Sequence, residues 1–310
     1  MMPLTLQAGG YQGAASVHTK GLAALAAAIE RLSGGDLRMA VTPDITGDGS
    51  KATDLLARVE AGTLDLCYFA SSYLAGRVPN LGAFDLPFAA TDRAQAYRGL
   101  DGWLGRKIAD AVERDTGFAV LGYWDNGFRH LSNWLHPITH PRDCEALRIR
   151  TLDNAQHQAV FRSFGFCPVT IDVRDLADAV RLQTVDAQEN PLTNTVNFGL
   201  QETHRFHSLT SHFFGVALLL VNRAWLENLP ADVRAVLALA ALEATQIQRN
   251  EAASEDAVCL AALASSGCAV LVPHEIDLRA FQTACKAVRD QALVRIDPHI
   301  RSYLEAISLG

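Results

Sequence analysis

Strand and helix patterns alternate along this chain of 310 residues, and the alternation starts a second time near its middle. The first series has apolar residues at strand or helix spacing in the ranges 22–32, 37–41, 55–59, 64–69, 104–112 and 118–124. The second series has a strand at 147–150, a helix at about 154–164, a strand ending near 170, a helix opened by Asp172 and a strand at 185–188. This order predicts mainly parallel sheets covered by helices, and two such series predict two α/β lobes.

The last third of the chain predicts one element longer than either lobe. Residues 209–222 form an extended apolar stretch, and residues 231–264 are rich in alanine and almost free of helix breakers. As one helix the second segment would run about 50 Å, so we expect a long helix that spans both lobes. The alternative is two helices separated near Ser254.

Charge and composition exclude several classes of function. The net charge of −7 argues against a nucleic-acid partner, which requires a basic surface. The apolar run 215–221 is far too short to cross a membrane. His204, His207 and His212 do not share one helix face, so we expect neither a metal site nor a cofactor.

The six cysteines contain no Cys-x-x-Cys pair, which argues against a zinc or redox motif. Cys259, Cys268 and Cys285 are close enough in sequence for a disulfide in an oxidising compartment, although spacing alone does not fix a pairing. We expect free thiols.

Arg150 and Asn190 are the most informative polar residues. In Leu147-Arg148-Ile149-Arg150 the two arginines share one strand face. A buried guanidinium needs an acidic partner, and its planar fork matches a carboxylate. For Arg150 that partner is either a ligand or an internal aspartate such as Asp175 or Asp186. Asn190 precedes Pro191, and it is either a ligand contact or a helix N-cap.

These residues belong to a longer pattern that resembles a known family. The pieces are Asn126-Gly127-Phe128-Arg129, the turn at Pro137 and Pro141-Arg142-Asp143, the run 147–150, Phe164-Gly165 with Pro168, and the run 185–191. In this order they resemble the dicarboxylate-binding solute-binding proteins of tripartite ATP-independent periplasmic (TRAP) transporters. The resemblance is strongest over residues 124–222 and extends over most of the chain.

The resemblance implies a fold and a lobe division. The fold is the two-lobed periplasmic binding protein, or Venus flytrap, with mainly parallel sheets and a long helix spanning both lobes. We expect residues 1–124 and 213–252 to form lobe I, and residues 125–212 and 253–310 to form lobe II.

The resemblance also implies site residues. Arg150 would grip the ligand carboxylate, helped by Arg129 and Asn190, while Glu189 would be structural. Further ligand contacts are expected at Asp48, Phe69, Ser71, Trp124, Val173, Ser211 and Phe214.

This chain departs from the family pattern at four positions. Ala146 and Ala187 stand where glycine is usual, and we expect neither backbone to require a positive φ. Val173 replaces a frequent aromatic and Ser71 an acidic residue, so features expected for a polyhydroxylated ligand are missing.

The implied function is capture of a small organic acid in the periplasm and its delivery to a TRAP membrane permease, by a monomer whose lobes close around the ligand. The alternatives are an α/β enzyme acting on a small acid, for which no catalytic motif is present, and a soluble sensor for a signalling receptor. Residues 1–6 have neither a basic start nor a cleavable apolar segment. Taken alone they indicate the cytoplasm, and with the family resemblance they indicate a mature protein without its leader.

Overall fold

The computed structural model describes residues 4–307. Its strands are β1 (Leu4–Gly9), β2 (Leu37–Thr42), β3 (Leu66–Ala70), β4 (Phe118–Asn133), β5 (Arg148–Thr151), β6 (Cys167–Thr170), β7 (Ala187–Pro191), β8 (Phe206–Asn222) and β9 (Ala269–Leu271). Its helices are α1 (Val17–Leu32), α2 (Asp54–Glu60), α3 (Arg93–Asp101), α4 (Trp103–Asp115), α5 (Ala155–Ser163), α6 (Leu176–Arg181), α7 (Leu192–Asn197), α8 (Arg223–Asn228), α9 (Ala231–Ser265), α10 (Leu278–Arg295) and α11 (Pro298–Ile307). The predicted α/β alternation is confirmed in both series.

The chain divides into two compact units. The first contains residues 1–71, 105–126 and 216–255, and the second contains residues 72–104, 127–215 and 256–310. This division differs from the expected lobes mainly in residues 72–104, which group with the second unit. The lobe boundaries stay a prediction, and their residues 1–3 and 308–310 lie outside the described part.

The first unit is built around three parallel strands. β1 pairs in parallel with β2 and with β3, and β3 pairs antiparallel with the last part of β8. Every residue of β3 is buried, which is typical of a strand covered on both faces. Helix α1 begins where the Ser16 side chain accepts a hydrogen bond from the His18 N–H, and it is followed by Gly34 at φ +62°, as its Gly-Gly stop predicts.

The second unit holds the strand that was predicted to carry the site. β7 lies between β4, to which it is antiparallel, and β5, to which it is parallel; β6 extends the sheet beyond β5. One sheet face contributes Leu131, Ile149 and Ala187 to a core that includes Phe161 and Phe281. Burying these apolar side chains anchors the strands and leaves the alternate positions for polar residues.

Helix α9 is a single helix of 35 residues, so the alternative of two helices is wrong. At the suspected break the Ser254 hydroxyl donates to the Glu251 carbonyl at 3.0 Å and lies within the helix. Residues 231–255 belong to the first unit and residues 256–265 to the second.

Two local predictions need correction. The Asp172 side chain accepts from the Arg174 N–H, but it caps a 3-10 turn at Val173–Asp175, and α6 begins only after that turn. Asn190 lies inside β7, and the N-cap of α7 is Pro191 rather than Asn190. All six cysteines, which lie within residues 4–307, are free.

Candidate functional site

Arg150 lies in the middle of a polar row across the sheet of the second unit. It is opposite Gln188 in the parallel pair of β5 and β7, and Gln188 is opposite Ser132 in the antiparallel pair of β7 and β4. Residues opposite each other in neighbouring strands point to the same face, so the three side chains form a row.

The Arg150 guanidinium is buried, with 2% of the residue exposed, but it is only partly satisfied. Its Nε donates to the Ile171 carbonyl at 2.9 Å. Its Nη2 is buried and has no hydrogen-bond partner among residues 4–307. A buried guanidinium N–H without a partner is costly, and a carboxylate is the group that best satisfies it.

Neither aspartate suggested as an internal partner binds Arg150. Asp186 instead binds Arg148, with Nη2–Oδ1 at 2.8 Å and Nε–Oδ2 at 2.9 Å. Asp175 binds Arg174, its neighbour in sequence. The internal salt bridge proposed as an alternative for Arg150 is therefore wrong for both residues.

Hydrogen bonds fix the rest of the polar row. Gln188 Nε2 donates to Ser132 Oγ at 2.6 Å, and Asn190 Nδ2 donates to Gln188 Oε1 at 2.6 Å. Ser132 Oγ also lies 3.0 Å from His204 Nδ1. These four side chains are all buried, so each is held in one orientation beside the strand that carries Arg150.

Arg129 is neutralised by the chain itself. Its Nε donates to Glu189 Oε2 at 2.5 Å, and its Nη2 donates to Glu189 Oε1 at 2.8 Å and to Asn190 Oδ1 at 3.1 Å. Glu189 also lies 3.3 Å from His212 Nε2. The expected structural role of Glu189 agrees with this geometry, and the expected contact of Arg129 with a ligand stays a prediction.

The electrostatics of Glu189 follow from these contacts. Burial by itself would raise the pKa of its carboxyl, but the charge of Arg129 and the hydrogen bonds from His212 and Arg129 lower that pKa well below its usual range. Glu189 is therefore ionised at every physiological pH, and the pair with Arg129 has no net charge.

The histidines near the row are neutral. Burial lowers the pKa of His130 to about 3 and that of His204 to about 3. His130 Nδ1 accepts a hydrogen bond from the Ser211 N–H at 3.1 Å, which requires that this nitrogen carry no proton. The row is left with one positive charge, that of Arg150.

The backbone next to Arg129 and Pro191 explains the glycine of the run Asn126-Gly127-Phe128-Arg129. Gly127 has φ +82°, and a Cβ there would lie 2.8 Å from the Pro191 Cβ. Only glycine fits such a position without strain. Ser211 has φ +47° inside β8, where a residue with a side chain is strained, and its N–H is turned toward His130.

The remaining expected ligand contacts of the second unit differ in burial. Phe214 is buried, with its ring 5.0 Å from that of Phe128 and 6.3 Å from that of Tyr97. Val173 and Ser211 are half-buried. Their ligand contacts stay predictions.

The candidates of the first unit are likewise of mixed burial. Phe69, Ser71 and Trp124 are buried, and Asp48 is exposed. Trp124 Nε1 donates to Thr245 Oγ1 at 3.2 Å, whereas the buried Ser71 Oγ has no hydrogen-bond partner within the described chain. Hydrogen bonds from Ser50 lower the pKa of Asp48.

The expectation for Ala146 is wrong. Its φ is +62°, a left-handed conformation that L side chains rarely adopt, and its N–H donates to the Gly165 carbonyl at 3.1 Å. Ala187 is not among the positive-φ residues of the described chain, as expected. Only the first of the two alanines therefore carries strain.

Sequence reasoning missed Gln188, Ser132 and His130. Gln188 precedes Asn190 by two residues, so the alternation of a strand places both on one face. That signal was present in the sequence. Ser132 and His130 come beside Gln188 and Asn190 through strand pairing, which sequence spacing does not show.

The three histidines of the discarded metal hypothesis make other contacts. His207 Nε2 lies 2.9 Å from the His204 carbonyl oxygen, and His212 binds Glu189. No group of three His, Cys, Asp or Glu side chains within residues 4–307 is placed to hold a metal ion. In the same range no helix is both long and apolar enough to cross a bilayer.

Comparison with known proteins identifies relatives across nearly the whole chain. Residues 8–295 match the model of the family described as bacterial extracellular solute-binding protein, family 7. The 2,3-diketo-L-gulonate-binding periplasmic protein YiaO of Escherichia coli is 30% identical over 274 residues, which are 88% of this chain and 82% of that protein.

Solved structures agree with this match. A TRAP periplasmic solute-binding protein from Sulfurospirillum deleyianum with bound succinate has a TM-score of 0.90 and 26% identity, covering 99% of both chains. Another from Bordetella bronchispeptica, with ligand density interpreted as pantoate, has a TM-score of 0.90 and 26% identity over 97% of this chain and 98% of the other. These relatives are solute-binding proteins rather than enzymes. The chain belongs to family 7 of the bacterial extracellular solute-binding proteins, the family of the TRAP transporter receptors.

Proposed function

We propose that this protein captures a small organic acid through its carboxylate and delivers it, as a monomer in the periplasm, to a TRAP-type membrane permease. The observation that carries the proposal is the buried Nη2 of Arg150, which has no hydrogen-bond partner within residues 4–307. Of the relatives named above, YiaO is a 2,3-diketo-L-gulonate-binding protein and the Sulfurospirillum deleyianum protein has bound succinate.

Each group near Arg150 has a role in this proposal. The Arg150 fork receives both oxygens of the carboxylate. Asn190, fixed by Gln188, and Arg129, fixed by Glu189, flank the carboxylate with further donors. Since these side chains are already immobilised by their neighbours, binding costs little ordering of the site.

The test compares two arginines on one strand. Arg150→Lys keeps the charge but loses the planar fork, and we expect a large loss of affinity, about a hundredfold, with little loss of stability. Arg148→Lys is the matched control, because Arg148 lies two residues away, is half-exposed and binds Asp186. Calorimetric titration with organic acids found in a thermal-shift screen measures both variants.

Three results would overturn the proposal. The first is a screen of organic acids in which none raises the melting temperature. The second is an Arg150→Ala variant that binds its acid within a few-fold of the parent. The third is equal weakening by Arg148→Lys and Arg150→Lys, which would show that the strand rather than the Arg150 fork matters.

A further inference from the structure

The buried cations of the chain are few and unequally satisfied. Within residues 4–307 the buried arginines are Arg129, Arg150 and Arg249, and no lysine is buried. Arg129 forms the ion pair with Glu189, and Arg249 donates to the Tyr123 carbonyl from Nε at 3.1 Å and from Nη2 at 2.9 Å. Among these three, only Arg150 has a buried guanidinium nitrogen that lacks a hydrogen-bond partner.

The side chains that share the polar row with Arg150 add no second charge. Gln188, Ser132 and Asn190 are neutral side chains that hydrogen-bond to one another. His204 is neutral as well, because burial lowers its pKa. This face of the second unit therefore matches one negative charge, and a second carboxylate placed here would be desolvated without a cationic partner.

The first-unit positions assigned to the ligand by family resemblance are also without a cation. Phe69, Ser71 and Trp124 are uncharged, and Asp48 is a carboxylate whose pKa is lowered by hydrogen bonds from Ser50. In the first unit the buried Ser71 Oγ and Asn126 Oδ1 have no hydrogen-bond partner among the described residues. Neither of these two neutral groups carries a positive charge that could compensate an anion.

We propose that the solute is a monocarboxylate whose remaining polar groups are uncharged, and that dicarboxylates are discriminated against. This inference rests on the proposed function, since it assigns the single carboxylate to Arg150. It goes beyond the family description, because the relatives named above include both a sugar-acid binder and a succinate-bound protein.

The experiment uses two matched pairs of ligands with the full chain. D-Erythronate and meso-tartrate have four carbons and the same relative configuration, and they differ only in a terminal CH₂OH or carboxylate. Succinamate and succinate differ in a terminal amide or carboxylate. Calorimetric titration at about pH 8, where the second carboxyl is ionised, is expected to give at least about tenfold tighter binding of the monocarboxylate in each pair.

The outcomes separate this inference from the function on which it rests. The discrimination would be overturned if meso-tartrate or succinate bound as tightly as the monocarboxylate of its pair. If Arg150→Ala then abolished the binding of both ligands, the proposed function as an organic-acid receptor would still hold. Failure of all four acids and of the wider acid screen would remove the proposed function and the inference together. Tighter binding of the monocarboxylate in both pairs, abolished by Arg150→Ala, supports the inference and the proposed function.

Discussion

The Arg129 guanidinium and the Glu189 carboxylate form a two-bonded ion pair inside the second unit, with Nε–Oε2 at 2.5 Å and Nη2–Oε1 at 2.8 Å. Arg129 is 5% exposed and Glu189 is fully buried. The pair is linked to the polar row by the hydrogen bond from Arg129 Nη2 to Asn190 Oδ1, and it adds no net charge to the row. Removal of one partner would leave the other charge buried and uncompensated, which is far more damaging than loss of a surface pair.

We predict that Glu189→Gln lowers the free energy of unfolding by about 3–5 kcal/mol, because the Arg129 charge is then buried without a counter-ion. The matched control is Asp186→Asn, which breaks the pair with the half-exposed Arg148 and should cost about 1 kcal/mol or less. Urea denaturation of both variants measures the difference. Equal losses in the two variants would show that the buried pair contributes no more than an exposed one.

Stability should fall as the pH drops below about 6.5, the unperturbed pKa of histidine. Burial lowers the pKa of His18, His130 and His204 to about 3, so the unfolded chain binds protons that the folded chain excludes. Between about pH 6.5 and the lowered pKa of the folded state, each such histidine lowers the free energy of unfolding by up to about 1.4 kcal/mol per pH unit. The lowered pKa of Glu189 also makes the free energy of unfolding fall with falling pH, but only at pH values below the usual pKa range of a glutamate.

The variant His130→Asn tests the titration directly. Asparagine keeps an acceptor for the Ser211 N–H but does not titrate, so the loss of unfolding free energy between about pH 6.5 and 5 should shrink by about one histidine's share. His299→Asn is the control, because His299 is exposed. If the free energy of unfolding of the variant changed with pH as steeply as that of the parent, His130 would have the same pKa in the folded and the unfolded state.

Much of the fold could be predicted from residue spacing because the elements are regular. The alternation in 147–150 predicted β5, and the absence of breakers predicted α9 as one helix. The partner of each arginine could not be predicted, since it depends on strand register. The Asp186 N–H donates to the Arg148 carbonyl where β7 approaches β5, and this hydrogen bond places Asp186 beside Arg148. Arg150, two residues further along β5, is opposite Gln188 instead.

A second feature that sequence reasoning missed is the network around Asp85. Asp85 Oδ1 accepts from Ser72 Oγ at 2.5 Å and from His157 Nε2 at 2.9 Å, and its Oδ2 accepts from Asn154 Nδ2 at 2.8 Å. Asn154 also caps α5, the helix that follows the strand of Arg150. The network brings together residues about seventy positions apart, which no local pattern indicates.

We expect Asp85→Asn to lower the free energy of unfolding by about 2–4 kcal/mol, because a neutral amide replaces a buried carboxylate that accepts three hydrogen bonds. Asp277→Asn is the matched control: Asp277 caps α10 by accepting from the Ala280 N–H at 2.9 Å, and asparagine caps a helix equally well. Chemical denaturation of the two variants should show a large loss in the first and almost none in the second. If Asp85→Asn proved as mild as Asp277→Asn, the network would contribute little to stability.

Ala146 and Ala187 give opposite predictions for the same substitution. Ala146 has φ +62°, where glycine avoids the steric cost of a Cβ, so Ala146→Gly should raise the free energy of unfolding by about 0.5–1 kcal/mol. Ala187 is fully buried in the core and is not at positive φ, so Ala187→Gly should lower it by about 1 kcal/mol or more. Urea denaturation decides the point. A loss of stability in Ala146→Gly comparable to that in Ala187→Gly would mean that the left-handed backbone at Ala146 carries no strain that glycine relieves.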